Sequence, residues 1–421
     1  MNLYIFNEKS RATVFGIGTY ISELIKALHG SNINICVLHL KSDKTQIIKE
    51  EVNNVQNWYF PECIQEHSSI DYNKQKILYY RNIVYLLKLH ISDTSNLIFH
   101  LNYYKSSNLS DELRRNFDCR IVSVVHFSKW GFTVFDNLKQ LRAIIRNDNP
   151  DAFCEMIIKT FEEEKLNYIK VDHVICLSYY MRKLLCNDYD IDVNKISVIS
   201  NGLADVAITN TTEFLRKKWN ISHRERIILF AGRIDEVKGV IYLIRAFRLV
   251  LEKRKNSRLI IAGSGNYDKY FSEAKDIYTK ITFTGLLKKE ELHELYKIAD
   301  VGVVPSLFEP FGYVAVEMMM HELPIIATAT SGLNEVVDET CGMKIPVIKS
   351  PDKVEINTEL LAKKILYILQ NPTEAMTFGQ NGRKKYLRQY SSEVFRENMI
   401  KFYQSLFAND TKDNSSDMVG N

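Results

Sequence analysis

Short apolar runs rich in Ile and Val recur along the chain between longer stretches of helical period, the pattern of buried parallel strands joined by crossover helices. The class this predicts is α/β. In the first half the strand candidates are 3–7, 33–40, 57–60, 97–101, 120–127, 173–177 and 196–200, with helices near 18–29, 72–90, 138–146, 152–169 and 179–187. The alternation then restarts, with strands near 227–231, 258–262, 281–284, 301–304, 324–327 and 343–346 and helices near 239–253, 290–299, 313–321 and 331–338.

Two series of this length do not merge comfortably into one sheet, and Ser200-Asn201-Gly202-Leu203-Ala204-Asp205 carries turn chemistry between them. The expected division is an N-terminal doubly wound domain over 1–205 and a second over 206–388. From Glu359 to Phe407 the pattern is helical without a strand, and residues 389–408 are expected to form a helix returning to the N-terminal domain. Residues 409–421 are too polar to pack and read as a disordered tail.

Composition narrows the function classes. The chain has 421 residues, 46% hydrophobic and 25% charged, which excludes disorder as its main state. Basic and acidic residues number 24 and 23 through Ser200 and 31 and 28 after it, so neither half advertises nucleic acid as a partner. Seven scattered cysteines without a CxxC pair (Cys36, Cys63, Cys119, Cys154, Cys176, Cys186, Cys341) read as reduced thiols of a cytoplasmic protein. Met1 to Asn7 reads as a first strand rather than a signal peptide, and no uncharged apolar run of about 18 residues spans a bilayer. Any membrane contact is expected to be peripheral.

In doubly wound sheets ligands bind beyond the carboxyl ends of the strands. Four such places stand out. In Ala231-Gly232-Arg233-Ile234-Asp235-Glu236-Val237-Lys238-Gly239, two cations flank a strand-to-helix turn where they can converge on an anion such as a diphosphate; solvated loop residues are the alternative. In Pro305-Ser306-Leu307-Phe308-Glu309-Pro310-Phe311-Gly312-Tyr313-Val314-Ala315-Val316-Glu317, Glu309 precedes a helix and Glu317 lies within it beside Met318-Met319-Met320. A carboxylate in an apolar helix needs partners. Sugar or ribose hydroxyls, a distant Arg, or exposure on a polar face would each serve Glu317.

Together these segments strongly resemble the retaining nucleotide-sugar glycosyltransferases of family 4, which have the GT-B fold of two facing Rossmann-like domains with a central cleft. The likeness is densest from Ile227 to Val337: strand-GR-x4-KG, Ile261-Ala262-Gly263-Ser264-Gly265, Phe283-Thr284-Gly285, Glu-x7-Glu from Glu309 to Glu317, Leu323-Pro324-Ile325-Ile326, and Gly332-Leu333-Asn334-Glu335-Val336-Val337. The resemblance implies that Arg233 and Lys238 hold the donor diphosphate, offsetting charge on the leaving group. Glu317 would bind ribose hydroxyls, Glu309 hydroxyls of the donor sugar, and the N–H groups of Phe311, Gly312 and Tyr313 the sugar and phosphate. Gly285, Leu286 and Leu287 would lie against the base.

The third place is Phe15-Gly16-Ile17-Gly18-Thr19-Tyr20, where glycines open a helix; Ile21 replaces the last glycine of the dinucleotide fingerprint, which disfavours a nicotinamide cofactor. The resemblance implies that Gly16 and Gly18 face the donor, although G-I-G departs from the family's commoner adjacent glycines. The fourth is Val124-Val125-His126-Phe127-Ser128-Lys129-Trp130. A lone His after hydrophobics is commonly a satisfied core residue, but the resemblance puts His126 at the reacting sugar; His100 is a weaker candidate. Two further departures are Glu322, where the family has a glycine suited to a left-handed helix cap, and Ser331-Gly332 in place of a glycine pair, which retains one flexible position.

The expected activity is transfer of a hexosyl group from a nucleoside diphosphate sugar to an acceptor hydroxyl, with retention, in glycan or glycoconjugate synthesis. An epimerase or hydrolase of the same fold and a non-catalytic nucleotide-sugar binder are the alternatives. With two cations for the phosphates and Asp190-Ile191-Asp192 in a polar link away from a strand end, neither metal nor cofactor is expected. The acceptor, whether glycan, lipid-linked or protein-linked, is not legible. Phe135, Leu138, Leu141 and Ile145 recur beside Lys139, Arg142 and Arg146, which fits a membrane-surface helix or ordinary packing with a basic rim.

Overall fold

The computed structural model describes residues 1–9, 16–62, 72–103, 105–351 and 353–408; Phe15, Cys63 and the tail expected over 409–421 lie outside them. The chain divides into two compact units, one of Met1–Ser128, Ile158–Gly202 and the chain from Phe395, the other of Lys129–Ile157 and Leu203–Val394.

The first unit contains β1 (Asn2–Glu8), β2 (Asn34–Ser42), β3 (Ile48–Val52), β4 (Val55–Pro61), β5 (Leu97–Leu101), β6 (Arg120–Val125), β7 (His173–Cys176) and β8 (Ile196–Val198). They form one sheet in the order β3-β4-β2-β1-β5-β6-β7-β8, parallel except for β3 against β4. All of β5 is buried, which is why it reads as an unbroken apolar run. β3 was not anticipated: its sequence, Ile-Lys-Glu-Glu-Val, is an exposed edge with no apolar face to announce it.

The second unit contains β9 (Arg226–Ala231), β10 (Ser257–Ala262), β11 (Ile281–Gly285), β12 (Val301–Val304), β13 (Ile325–Ala329), β14 (Gly342–Ser350) and β15 (Lys353–Ile356), in the order β11-β10-β9-β12-β13-β14-β15. Only β15, also missed from the sequence, runs antiparallel to its neighbour. The helix Val240–Lys253 buries Val240, Leu243, Ile244, Phe247 and Val250, the 3.6-residue stripe that made it legible. The α/β class with parallel sheets is therefore observed. The C-terminal part is helical, as Thr358–Gln370, Pro372–Lys385, a π-turn and Ser392–Ser405.

Within the first unit, the chain after Phe395 packs beside the helix Gly16–Leu28. Arg396 donates to the carbonyls of Ala27 and His29, and the Phe395 ring meets Tyr20 edge-on at 5.8 Å. Among the described residues no helix is long and apolar enough to cross a membrane.

Both glycine departures fall where the backbone is left-handed. The helix Tyr313–Met320 ends with Leu323 N–H on the Met318 carbonyl and Glu322 N–H on Met319, both at 3.1 Å, and Glu322 has φ 55°. In Ser331-Gly332 the left-handed residue is Ser331 (φ 43°), while Gly332 is ordinary at −67°, so the flexible position is not the one occupied by glycine. A side chain at positive φ costs about 1 kcal/mol. Glu322→Gly is expected to stabilise the protein by about 1 kcal/mol, read as a melting temperature raised by a few degrees in calorimetry; an unchanged or lowered value would contradict the strain argument.

Candidate functional site

Strand order explains why distant residues meet. β10 and β11 extend the second sheet on one side of β9, and the chain then returns to place β12 on the other side. Between β9 and β12 lies the topological switch point, where the loops leaving two neighbouring strands diverge and open a crevice. The loop after β9 carries Arg233 and Lys238; the loop after β12 carries Ser306 and Glu309.

These loops are joined at the switch point. Lys238 Nζ donates to Glu309 Oε2, with both side chains about one-sixth exposed, and Leu307 N–H bonds the Val237 carbonyl at 2.7 Å. Thr328, near the end of β13, and Thr330, just after it, hold the carbonyls of Ser306 (2.5 Å) and Leu307 (2.9 Å) through their hydroxyls. Lys238 and Glu309 are thus brought together, and Arg233 stands on the same loop as Lys238, with Nη1 3.2 Å from Asp235 Oδ2. An ammonium has three N–H groups, so one on Glu309 leaves two for an anion.

Local chemistry fixes the Lys238 turn. Asp235 Oδ1 accepts the Lys238 N–H at 3.2 Å and caps the short turn Glu236–Lys238. Gly239 follows at φ 66°, and a Cβ there would lie 1.9 Å from the Pro305 carbonyl oxygen. A Cβ on Gly263 would lie 1.7 Å from the Gly232 oxygen, so the loops after β9 and β10 touch through bare backbone. These motif glycines serve close packing of strand ends.

Glu317 lies in the helix Tyr313–Met320, whose N-cap is Gly312 and whose N–H groups of Ala315 and Val316 donate to the Gly312 carbonyl at 3.0 and 3.3 Å. The carboxylate is half-buried and accepts a hydrogen bond from the Tyr296 hydroxyl at 2.8 Å. This phenol is none of the three provisions the sequence suggests for Glu317, which are sugar or ribose hydroxyls, a distant Arg, and exposure on a polar face. Burial and the adjacent carboxylate push the Tyr296 pKa well above the usual phenol value, so it remains a donor. Beside it, His293 Nδ1 lies 2.6 Å from His321 Nε2, and burial holds both rings below the ordinary imidazole pKa. Gly285 (φ 73°) has open space where a Cβ would stand, and Leu286 is 64% exposed.

In the first unit, His126 follows β6 and its Nε2 lies 2.9 Å from Asn102 Oδ1. Asn102 Nδ2 donates to the Phe6 carbonyl at 3.1 Å, which orients the amide with its oxygen toward the ring. His126 Nε2 therefore carries the proton, and Nδ1 holds a lone pair able to accept a hydrogen bond. Loss of hydration, with His100 nearby, pushes the ring pKa down to about 3. His100, the weaker candidate, is a core residue: it is fully buried, 3.2 Å from the Tyr20 hydroxyl and 3.0 Å from that of Tyr403, with its pKa pushed down to about 3 by burial. Gly16 and Gly18 occupy the first turn of the helix Gly16–Leu28, where Gly16 is exposed.

Asp192 caps a short turn through the Asn194 N–H at 2.9 Å. Among the described residues no group of three or more His, Cys, Asp or Glu is arranged to hold a metal, and six cysteines are unpaired. The helix Leu138–Ile145 buries Leu141 and Ile144 and exposes Lys139, Arg142 and Ile145; Phe135 lies outside it, at φ 51°.

Comparison with known proteins gives the same picture for both halves. Residues 14–205 match the model of "Glycosyltransferase Family 4", and residues 211–385 match that of "Glycosyl transferases group 1". An uncharacterized glycosyltransferase of Methanocaldococcus jannaschii is 33% identical over 199 residues, 45% of this chain and 51% of that protein, so the chain spans about half the length of that relative. The lipopolysaccharide 1,2-N-acetylglucosaminetransferase of Salmonella typhimurium is 28% identical over 287 residues, 64% of this chain and 72% of that protein. Among solved structures, Anabaena HepE in complex with UDP-glucose superposes with a TM-score of 0.69 at 14% identity, covering 96% of this chain and 100% of that one. That likeness is one of fold, the GT-B class.

The buried imidazoles set a pH dependence. In the unfolded chain they take up protons as pH falls through about 6.5, whereas in the folded chain His100 and His126 resist until about 3. The unfolded state therefore binds more protons in that window, and stability falls as pH drops from 6.5; above 6.5 these groups add no slope. The urea midpoint is expected to be lower at pH 5.5 than at 7.5, and His100→Gln is expected to lessen the difference. Equal midpoints at the two pH values would show that the rings are not held neutral.

Proposed function

The chain belongs to the family 4 glycosyltransferases, and from that premise we propose that it moves a hexosyl group from a nucleoside diphosphate sugar to an acceptor hydroxyl with retention at the anomeric carbon. The observation that carries the reading is the pairing of Lys238 with Glu309 at the β9/β12 switch point, beside Arg233. A diphosphate with a sugar attached needs cations next to a hydroxyl acceptor, and this crevice offers both.

In this reading Arg233 and Lys238 hold the diphosphate, aided by the N–H groups of Phe311, Gly312 and Tyr313 at a helix N-terminus. Glu309 accepts from hydroxyls of the donor sugar. Glu317, oriented by Tyr296, takes the ribose, and the base lies on Gly285 and Leu286. Gly16 and Gly18 offer backbone N–H groups to the donor, and His126 accepts a sugar hydroxyl hydrogen bond at Nδ1, the nitrogen not committed to Asn102.

The bond from the anomeric carbon to the leaving phosphate oxygen breaks, and the growing charge falls on Arg233 and Lys238. The acceptor oxygen bonds the anomeric carbon from the face the phosphate leaves, and its proton passes to that phosphate. Glu309 as a covalent nucleophile fits less well, since its carboxylate is already bonded to an ammonium. With two cations for the diphosphate, the reading requires neither a divalent metal nor another cofactor. The acceptor is proposed by class alone, a hydroxyl of a glycan or of a lipid- or protein-linked glycan; contact with a membrane surface would be peripheral, consistent with a cytoplasmic site.

A panel of nucleotide sugars is expected to contain at least one that raises the melting temperature and labels an added glycan acceptor. Arg233→Ala and Lys238→Ala are each expected to lower transfer roughly a hundredfold or more, with wild-type turnover maintained in EDTA. Full-rate transfer by the double variant, or a trapped glycosyl-Glu309 adduct, would overturn the assignment or the mechanism respectively.

A further inference from the structure

The segment 129–137, which follows β6 in the chain, belongs to the second unit. It is anchored there by charge and by shape. The Asp136 carboxylate, 2% exposed, accepts from Ser331 Oγ at 2.9 Å and from Lys349 Nζ at 3.2 Å, and Lys349 also donates to the Asp136 backbone carbonyl at 2.7 Å. Asn137 Nδ2 bonds the Ser350 carbonyl at 2.8 Å. Phe135 packs against the core of the second unit, and Phe135 and Asp136 are both left-handed, at φ 51° and 58°. Two consecutive residues in that region define a sharp, specified turn.

This anchored turn brings Phe132 to the switch point. Its ring meets the buried Phe308 edge-on, with centroids 5.0 Å apart at 82°. The guanidinium carbon of Arg233 lies 5.6 Å from the centroid of the Phe132 ring. Arg233 is therefore held on two sides, by the Asp235 carboxylate and by an aromatic ring whose electron-rich face attracts a cation without neutralising it. A carboxylate competes with a phosphate for Arg233; a ring does not.

We infer that Phe132 is a positioning residue for Arg233, fixing where its guanidinium stands to receive the donor diphosphate. Phe132 acts through Arg233 and leaves Lys238 to the Glu309 pair. The inference rests on the reading that Arg233 binds that diphosphate.

The test is a double-mutant cycle on the full chain by isothermal titration, using whichever of UDP, GDP, ADP and TDP binds the wild type most tightly. Phe132→Leu, which keeps apolar packing on Phe308 and removes the aromatic face, is the primary variant; Phe132→Trp is the rescue, and melting temperatures establish that each variant is folded. Phe132→Leu is expected to weaken binding about threefold to tenfold. Phe132→Trp is expected to restore wild-type affinity, and Phe132→Leu is expected to change nothing in an Arg233→Ala background. Wild-type affinity for Phe132→Leu, or an undiminished effect of it when Arg233 is absent, would overturn the inference and leave the donor site standing. Unaltered binding by Arg233→Ala itself, or no binding of any diphosphate by the wild type, would instead defeat the reading beneath it.

Discussion

The pair that Lys238 makes with Glu309 ties together two loops that the chain supplies 71 residues apart. Its existence depends on β9 and β12 being neighbours while β10 and β11 lie to one side. Several irregular backbone features of the second unit serve that meeting. Gly239 lets the Lys238 turn touch Pro305, Gly263 lets the β10 loop pass beneath Gly232, and Thr328 and Thr330 hold the carbonyls that precede Glu309. Half-buried opposite charges are favourable only while both are present, so each member constrains the other's place.

Part of the support for the remaining charged groups comes from neutral neighbours. Tyr296 orients Glu317 by donating one hydrogen bond, and Phe132 faces Arg233 with a ring. In the first unit Asn102, fixed by the Phe6 carbonyl, sets the tautomer of His126. Neutral partners set geometry without cancelling the charge or lone pair that a ligand would need.

His100 and His126 show how similar sequence contexts diverge. His100 is the penultimate residue of the apolar parallel strand β5, and His126 directly follows the apolar parallel strand β6. His100 is enclosed by Tyr20 and Tyr403, and Tyr403 lies 303 residues away, so no local pattern announces the enclosure. His126 retains a nitrogen not committed to Asn102. Hydrophobic flanks report the burial of a strand and are silent about which helix later covers its end.

The sequence alone established the α/β class, the parallel strands and most of the crossover helices, because a strand buried on both faces and a helix with one buried stripe leave periodicities of their own. It also located the charged groups of the second unit, through the order and spacing of Arg233, Lys238, Glu309 and Glu317 in a resemblance to a known family. It was silent on the edge strands Ile48–Val52 and Lys353–Ile356, which lack the continuous apolar run of a central strand, and on the left-handed turn at Phe135 and Asp136. Tertiary structure decided which carboxylate meets which cation, that a phenol serves Glu317, and that Ser331, not Gly332, takes the left-handed position. These are contacts between segments remote in the chain, and their energies depend on distances that only the folded sheet order sets.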